Sequence, residues 1–210
     1  MNVIDISLPV HKNTVVWPGN TEPNLVRVKD MEQGEICNET FISMNAHTGT
    51  HLDAPLHFLE KGGSIDAMDL GIFFGPVFVA DMGEAKNITE KELEVLHLPE
   101  HTERILFKTS NSLLWKNRVD TFKKDYVGLT PSAARWLVSK RMRLVGNDYL
   151  SVATFNDAAE VHDILLGAGI AALEGIDLTH AAEGEYELIC FPLRLDGAEA
   201  APTRAVLIER

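Results

Sequence analysis

The chain has 210 residues, of which 45% are hydrophobic and 24% charged, and its formal net charge is −12. This length fits one domain with its own core, so we expect a single domain over residues 1–210. The negative net charge argues against binding to nucleic acid or to an anionic membrane surface, since both need a basic protein face. A small-molecule substrate is compatible with it, because a bound cation can reverse the local charge of a site.

Hydrophobic and turn patterns predict strands with intermittent helices. In chain order, the predicted strands cover residues 3–10, 24–30, 39–45, 77–81, 104–109, 144–146, 170–173, 186–195 and 205–208. Predicted helices begin at Thr89, where Glu92 completes a capping box, at Thr130 before Pro131, and at Asn156 or Asp157. These elements predict one α/β domain with a mixed sheet.

Two cysteines, Cys37 and Cys190, lie far apart and match no zinc or redox spacing. A structural thiol is the commoner role for such a residue than a catalytic nucleophile. The start of the chain carries no basic segment and no long apolar run, so we expect no signal peptide and a cytoplasmic protein.

Four side chains that can bind metals or move protons fall within the eleven residues 47–57, which read HTGTHLDAPLH. They are His47, His51, Asp53 and His57. In an extended backbone, side chains two residues apart share a face, so the spacing predicts that all four point into one pocket. Imidazoles and a carboxylate suit a divalent cation such as zinc or manganese.

A helix is the competing interpretation, because His47 and His51 are four residues apart. Gly49 between them and Pro55 after them both disfavour a helix. Ordinary surface polarity would explain a single histidine pair, but it explains so dense a cluster less well.

The second half of the chain adds two candidate ligands. His162 lies in the third predicted helix, at the edge of its apolar stripe, and Glu174 follows an apolar strand directly before Gly175. Charged residues at the ends of buried strands often carry function in α/β proteins. On spacing alone, a structural histidine and a solvated strand end remain the commoner interpretations.

Together these segments resemble the metal-dependent cyclase and kynurenine formamidase family. Residues 47–57 match its signature His–x–Gly–Thr–His–x–Asp–x–Pro–x–His, and residues 17–19, Trp-Pro-Gly, are similar to its substrate-contacting segment. Residues 165–170, with His162 before them and Glu174 after them, look like its second metal-binding stretch. Residues 202–207 are similar as well.

The resemblance implies a compact α/β domain with a mixed sheet, a small β-barrel-like core and flanking helices, usually a homodimer or a higher homo-oligomer. It implies one or two divalent ions per subunit, zinc before manganese. The first ion would be bound by His47, His51 and Asp53. Asp53 would bridge to a second ion bound by His162, and Glu174 would reach both.

The resemblance also implies that His57 is the proton donor and acceptor and that Trp17 contacts the substrate. An imidazole suits the proton-transfer role because it titrates near neutral pH. On the indole alone, a core or interface position for Trp17 is as plausible as a substrate contact.

The implied activity is hydrolysis of an amide or formamide C–N bond, with N-formylkynurenine giving kynurenine and formate. One stretch departs from the pattern: kynurenine formamidases tend to carry Asp-Thr-Pro-Ser-Val-Asp where residues 148–153 read DYLSVA. A lactone or isatin-like lactam hydrolase, or a cyclase, on the same metal centre therefore stays open. A metal-binding structural protein is the alternative outside enzymes, although structural zinc sites are usually closed and rich in cysteine.

Overall fold

The computed structural model describes residues 2–209, and within them eleven β-strands and four α-helices are present. The strands are β1 (Val3–Asp5), β2 (Asn24–Lys29), β3 (Glu39–Ser43), β4 (His51–Asp53), β5 (Phe74–Asp81), β6 (Arg104–Lys108), β7 (Leu144–Asn147), β8 (Ala171–Glu174), β9 (Gly184–Ile189), β10 (Ala200–Pro202) and β11 (Val206–Glu209). The helices are α1 (Glu90–Glu94), α2 (Ser112–Lys116), α3 (Pro131–Ser139) and α4 (Ala158–Gly167).

Nine strands form one mixed sheet in the order β1-β11-β9-β5-β6-β7-β8-β4-β10, and β2 and β3 form a separate hairpin. Strands β5 to β8 run parallel in the middle of the sheet, and the outer pairs are antiparallel. The three parallel pairs use crossovers that contain the helices, which is the usual way to join parallel neighbours.

The sheet curls into a half-barrel, because the segment after β1 bridges two distant strands. The N–H of Ile6 donates to the carbonyl of Ala205, just before β11, at 3.1 Å. The carbonyl of Ile6 accepts from the N–H of Asp177, just after β8, at 2.8 Å. The predicted fold class, a single α/β domain with a mixed and barrel-like sheet, is confirmed.

Two cores lie on opposite faces of the sheet, and β6 contributes to both. Leu106 is buried inside the curl, together with Leu52 and Leu173. Ile105 and Phe107 point the other way, into the core that the sheet shares with the helices. Successive side chains of a strand face opposite sides of the sheet. The sequence of a parallel strand that is covered on both faces is therefore a continuous run of apolar residues.

Several element boundaries differ from the predictions. The first predicted strand, 3–10, stops at Asp5, because the following residues leave β11 to bridge toward β8. The strand predicted over 186–195 ends at Ile189. The capping box at Thr89 is confirmed: its side chain accepts from the N–H of Lys91, and the Glu92 side chain accepts from the N–H of Thr89. Among residues 2–209 there is no helix with the length and apolar character needed to cross a membrane.

Candidate metal centre

The backbone of residues 47–57 is not continuously extended, so the predicted geometry of this segment is wrong. Gly49 adopts the left-handed region with φ = 67°, which turns the chain between His47 and β4. Only His51–Asp53 is a strand, and Pro55–His57 forms a single 3₁₀ turn. The four side chains nevertheless converge, through a turn at each end of a short strand rather than through one shared strand face.

A close approach of two glycines joins this segment to the second half of the chain. A Cβ atom on Gly175 would lie 2.2 Å from the carbonyl oxygen of Gly49, so no larger residue fits between the two backbones. Beside this contact the Thr50 hydroxyl donates to the carbonyl of Gly175. In the antiparallel pairing of β4 with β8, His51 stands opposite Glu174. The sheet therefore places a ligand from each half of the sequence side by side.

Glu174 is contacted by a histidine at each of its carboxylate oxygens. Its Oε2 lies 3.4 Å from Nε2 of His51, and its Oε1 lies 3.0 Å from Nε2 of His162. Oε1 also accepts a 2.7 Å hydrogen bond from the N–H of Val152, which fixes the orientation of the carboxylate. His162 is buried on the inner side of α4, not at the edge of its apolar stripe as the sequence suggested.

Asp53 lies between the two groups of side chains. Its Oδ1 is 3.0 Å from Nδ1 of His47 and 3.5 Å from Nε2 of His51, and its Oδ2 is 3.6 Å from Nε2 of His162. Ligand atoms within 4.8 Å of one another define two overlapping sets, His47–His51–Asp53 and Asp53–His162–Glu174. The structure thus brings together all five residues that the resemblance implied as ligands, with Asp53 shared.

The donor atoms of this cluster fit a divalent cation. Asp53 is fully buried, and although imidazole nitrogens lie 3.0–3.6 Å from its carboxylate oxygens, none of these contacts has hydrogen-bond geometry; the same is true of Nε2 of the buried His51. A polar atom in a protein interior that makes no well-formed hydrogen bond is costly. Imidazole nitrogens and carboxylate oxygens aimed at one point are donors that zinc and manganese accept.

Mutual attraction within the cluster outweighs the effect of burial on its pKa values. Burial would lower the pKa of His51 and of His162, but the nearby carboxylates, Glu174 foremost, raise each to about 9. Burial would raise the pKa of Glu174, yet His162 and His51 hold it far below its usual value. Burial and Glu174 would likewise raise the pKa of Asp53, and the neighbouring histidines keep it low. Without metal the cluster is thus an ion-paired network, and a binding cation displaces its protons.

His57 lies beside the cluster rather than in either ligand set. Its Nε2 is 4.0 Å from Oδ2 of Asp53, and its ring centroid is 4.2 Å from that of His47. Burial, only partly offset by Asp53, lowers its pKa below the ordinary value. The ring lines a cavity that opens onto the cluster.

A cavity of about 330 Å³ opens onto the cluster. Its walls include Trp17, Phe58 and Leu150, and its floor includes His51 and Glu174. Most of the wall is therefore apolar and the floor polar, which is the usual composition of a small-molecule site.

Trp17 belongs to an aromatic group at one side of the cavity. Its ring stacks on Phe155 at 5.4 Å between centroids and meets Phe122 edge to face at 5.1 Å. The indole is half-buried, with one part packed on these rings and another part lining the cavity. Both interpretations left open by the sequence, a packed tryptophan and a cavity wall, thus describe the same side chain.

Two further residues at the site were not predicted from the sequence. Phe58 stacks flat on the imidazole of His162, with centroids 4.7 Å apart and an interplanar angle of 17°. Glu199 contacts His47, with Oε1 3.3 Å from Nε2. Phe58 directly follows the histidine signature, and that proximity was the one signal available. Glu199 stands in no motif.

Comparison with known proteins agrees with this fold. The model of the Cyclase family matches residues 4–154. The kynurenine formamidase of Bacillus cereus is 37% identical over 205 residues, covering 97% of this chain and 96% of that protein. Cyclase-like protein 3 of Oryza sativa subsp. japonica is 40% identical over 188 residues, covering 85% and 68%.

Among solved structures, a potential metal-dependent hydrolase with cyclase activity superposes with a TM-score of 0.86 at 31% identity, covering 100% of this chain and 98% of that one. The chain belongs to the cyclase family. The resemblance inferred from residues 47–57 is thereby confirmed, and a divalent metal fits both the family and the donor atoms of the site.

Proposed function

We propose that this protein is a metal-dependent hydrolase that cleaves the C–N bond of an aryl amide or formamide. The observation that carries the proposal is the set of buried metal-ligating atoms around Asp53 that make no well-formed hydrogen bonds, beside a cavity that His51 and Glu174 line together with apolar side chains. A divalent cation held there supplies Lewis-acid polarisation of a carbonyl and activation of water. We take the ion to be zinc, with manganese as the alternative, and the two ligand sets to hold one ion each.

His57 would carry the proton through the reaction. Burial lowers its pKa, so the imidazole is neutral at pH 7 and can accept a proton as water adds to the carbonyl carbon. When the C–N bond breaks, the leaving nitrogen needs a proton, and the protonated imidazole can donate it. The products are a carboxylic acid, formic acid for a formamide, and an amine.

The apolar walls would bind the aryl part of the substrate. Trp17 and Phe58 present aromatic surface on the cavity, and Leu150 adds an aliphatic side chain. Stacking of an aryl ring on such walls would hold the carbonyl over the metal ligands, so that binding energy serves positioning. N-formylkynurenine has both an aryl ring and a formamide, and we propose it as a substrate because the Bacillus cereus relative is a kynurenine formamidase.

The test combines metal analysis with a substrate panel. Protein stripped with a chelator should be inactive, and returning zinc or manganese should restore N-formylkynurenine hydrolysis together with about two bound ions per chain. Isatin and a simple aliphatic lactone complete the panel. Faster turnover of either would reassign the protein to lactam or lactone hydrolysis. A protein that stays metal-free yet hydrolyses N-formylkynurenine would overturn the proposal.

A further inference from the structure

We infer that Glu199 is a positioning residue for His47: its carboxylate accepts a hydrogen bond from Nε2–H, so that Nδ1 faces the first metal position. The inference rests on the metal centre proposed above and assigns to it a residue outside both ligand sets. Glu199 would touch neither metal nor substrate and would act through the imidazole alone.

The geometry around His47 assigns its two ring nitrogens to different partners. Nδ1 lies 3.0 Å from Oδ1 of Asp53, on the side of the ligand cluster. Nε2 points the opposite way and lies 3.3 Å from Oε1 of Glu199. A neutral imidazole carries one proton, and a carboxylate can only accept. Both nitrogens of His47 face a carboxylate when no metal is bound. A cation on the Asp53 side would displace the proton from Nδ1, and the contact with Glu199 would then keep the remaining proton on Nε2 and leave the Nδ1 lone pair for the metal.

The other two ligand histidines are oriented in the same way by different groups. Nδ1 of His51 lies 2.9 Å from the carbonyl oxygen of Gly49, and Nδ1 of His162 lies 2.7 Å from that of Ala158. In both, a backbone carbonyl holds one nitrogen and turns Nε2 toward the carboxylates. For His47 the corresponding acceptor is a carboxylate. A charged acceptor makes the imidazole a stronger metal ligand than a carbonyl does.

The backbone holds Glu199 against the strand that carries the ligands. Its carbonyl accepts the N–H of Ala54, the residue after Asp53, at 2.9 Å. The next residue, Ala200, is paired with Asp53 in the β4–β10 ladder. The side chain of Glu199 is 42% exposed, so it stands at the edge of the cluster and reaches inward to His47. A half-exposed carboxylate fixed by backbone pairing can be removed without opening the core.

The experiment measures zinc affinity by competition with a chromogenic chelator, one ligand set at a time. In a His162→Ala background, the affinity that remains reports the set containing His47. In a His47→Ala background, it reports the set containing His162. We expect Glu199→Ala to weaken zinc binding about 10–100-fold in the first background, the usual effect of removing such a hydrogen-bonding partner, and to leave the second unchanged. Glu199→Gln keeps an acceptor oxygen, so it should recover part of the loss.

Asp196→Asn is the matched control, because it removes one negative charge from the exposed part of the same loop. It should leave zinc affinity unchanged in both backgrounds. The thermal midpoint of the metal-free protein should be the same for wild type, Glu199→Ala and Asp196→Asn.

Three results would overturn the inference. Equal losses in both backgrounds, with a lowered midpoint, would make Glu199 a structural residue. A loss matched by Asp196→Asn would make its effect one of general charge. Unchanged affinity in the His162→Ala background would mean that the contact does not orient His47. If the wild-type protein binds no divalent metal, the proposed metal centre is wrong and the inference fails with it. This result is distinguishable from the other three because it is seen without any substitution.

Discussion

Nε2 of His57 lies 4.0 Å from Oδ2 of Asp53, on the cavity side of the carboxylate that the two ligand sets share. The ring is thus close enough to exchange a proton with a molecule bound at the cluster, yet it belongs to neither set of ligand atoms. His51, by comparison, has its Nε2 within 3.5 Å of both Asp53 and Glu174. This difference in position is the basis for proposing proton transfer for His57 and metal binding for His51.

His57→Ala should lower kcat about 10²–10⁴-fold, the usual contribution of general acid–base catalysis, while most of the metal is retained. His51→Ala is the comparison and should lose metal as well as activity. The measurement is metal content per chain beside steady-state kinetics. Equal metal loss in the two variants would make His57 an ordinary ligand.

Asp53→Asn should abolish hydrolysis and reduce bound metal. The substitution keeps the size of the side chain but removes the negative charge shared by both ligand sets. It also replaces one of the two carboxylate oxygens with an amide NH₂, which cannot bind a metal ion. Elemental analysis after dialysis against zinc measures the effect. Two tightly bound ions in this variant would show that Asp53 is not the bridging group.

Trp17→Ala should weaken turnover of aryl substrates about tenfold, since aromatic pairs are worth roughly 0.5–1.5 kcal/mol beyond the area they bury. Aliphatic lactones or amides should change far less. Trp17→Phe keeps an aromatic wall and should retain most of the aryl preference. If all substrates decline in parallel with a lowered thermal midpoint, Trp17 acts through its packing on Phe122 and Phe155.

Asp148→Ala should destabilise the protein by at least about 3 kcal/mol, because several buried donors would lose their acceptor. The Asp148 carboxylate is buried and accepts from the backbone N–H and the hydroxyl of both Thr109 and Ser112. Chemical denaturation measures the change. Asp120→Ala, at an exposed position, is the control and should be neutral.

The β2–β3 hairpin should be an interface between two copies of this chain. Every residue of both strands is exposed, and exposed apolar side chains include the cross-strand neighbours Val26 and Phe41. Apolar surface of this kind usually marks an interaction site, and the homodimer expected from the family resemblance would cover it. Light scattering should give a dimer for wild type and a monomer for Val26→Glu/Phe41→Glu.

The control is Arg27→Glu, on the other face of β2, which should stay dimeric. A monomeric wild type would contradict the assignment.

Local signals predicted those parts of the fold that depend on neighbouring residues. The capping box located α1, and Pro131 located the start of α3. Helix α2 and strand β10 were not predicted. Strand β10 is Ala-Ala-Pro, which has little intrinsic strand preference, and it is a strand because it pairs with β4. No local pattern contains that pairing.

The convergence of the candidate ligands was partly predictable, because three of the five occur together in one signature, but their geometry was not. Gly49 gave a correct warning against a helix, and the same residue introduced the turn that broke the expected extended strand. Phe58 and Glu199 were missed because their roles depend on which side chains the fold places beside them. Glu199 lies 152 positions along the chain from the histidine it contacts.

Because β4 pairs with β8, the candidate metal centre is complete only when both halves of the chain have been synthesised. Gly49 and Gly175 are in close contact where His51 stands opposite Glu174, and Glu199, which contacts His47, emerges from the ribosome later still. A nascent or truncated chain that lacks the last fifth of the sequence therefore has its histidine signature but an incomplete centre. Because metal affinity depends on the assembled site, a divalent metal bound at this centre would distinguish finished molecules from partial ones.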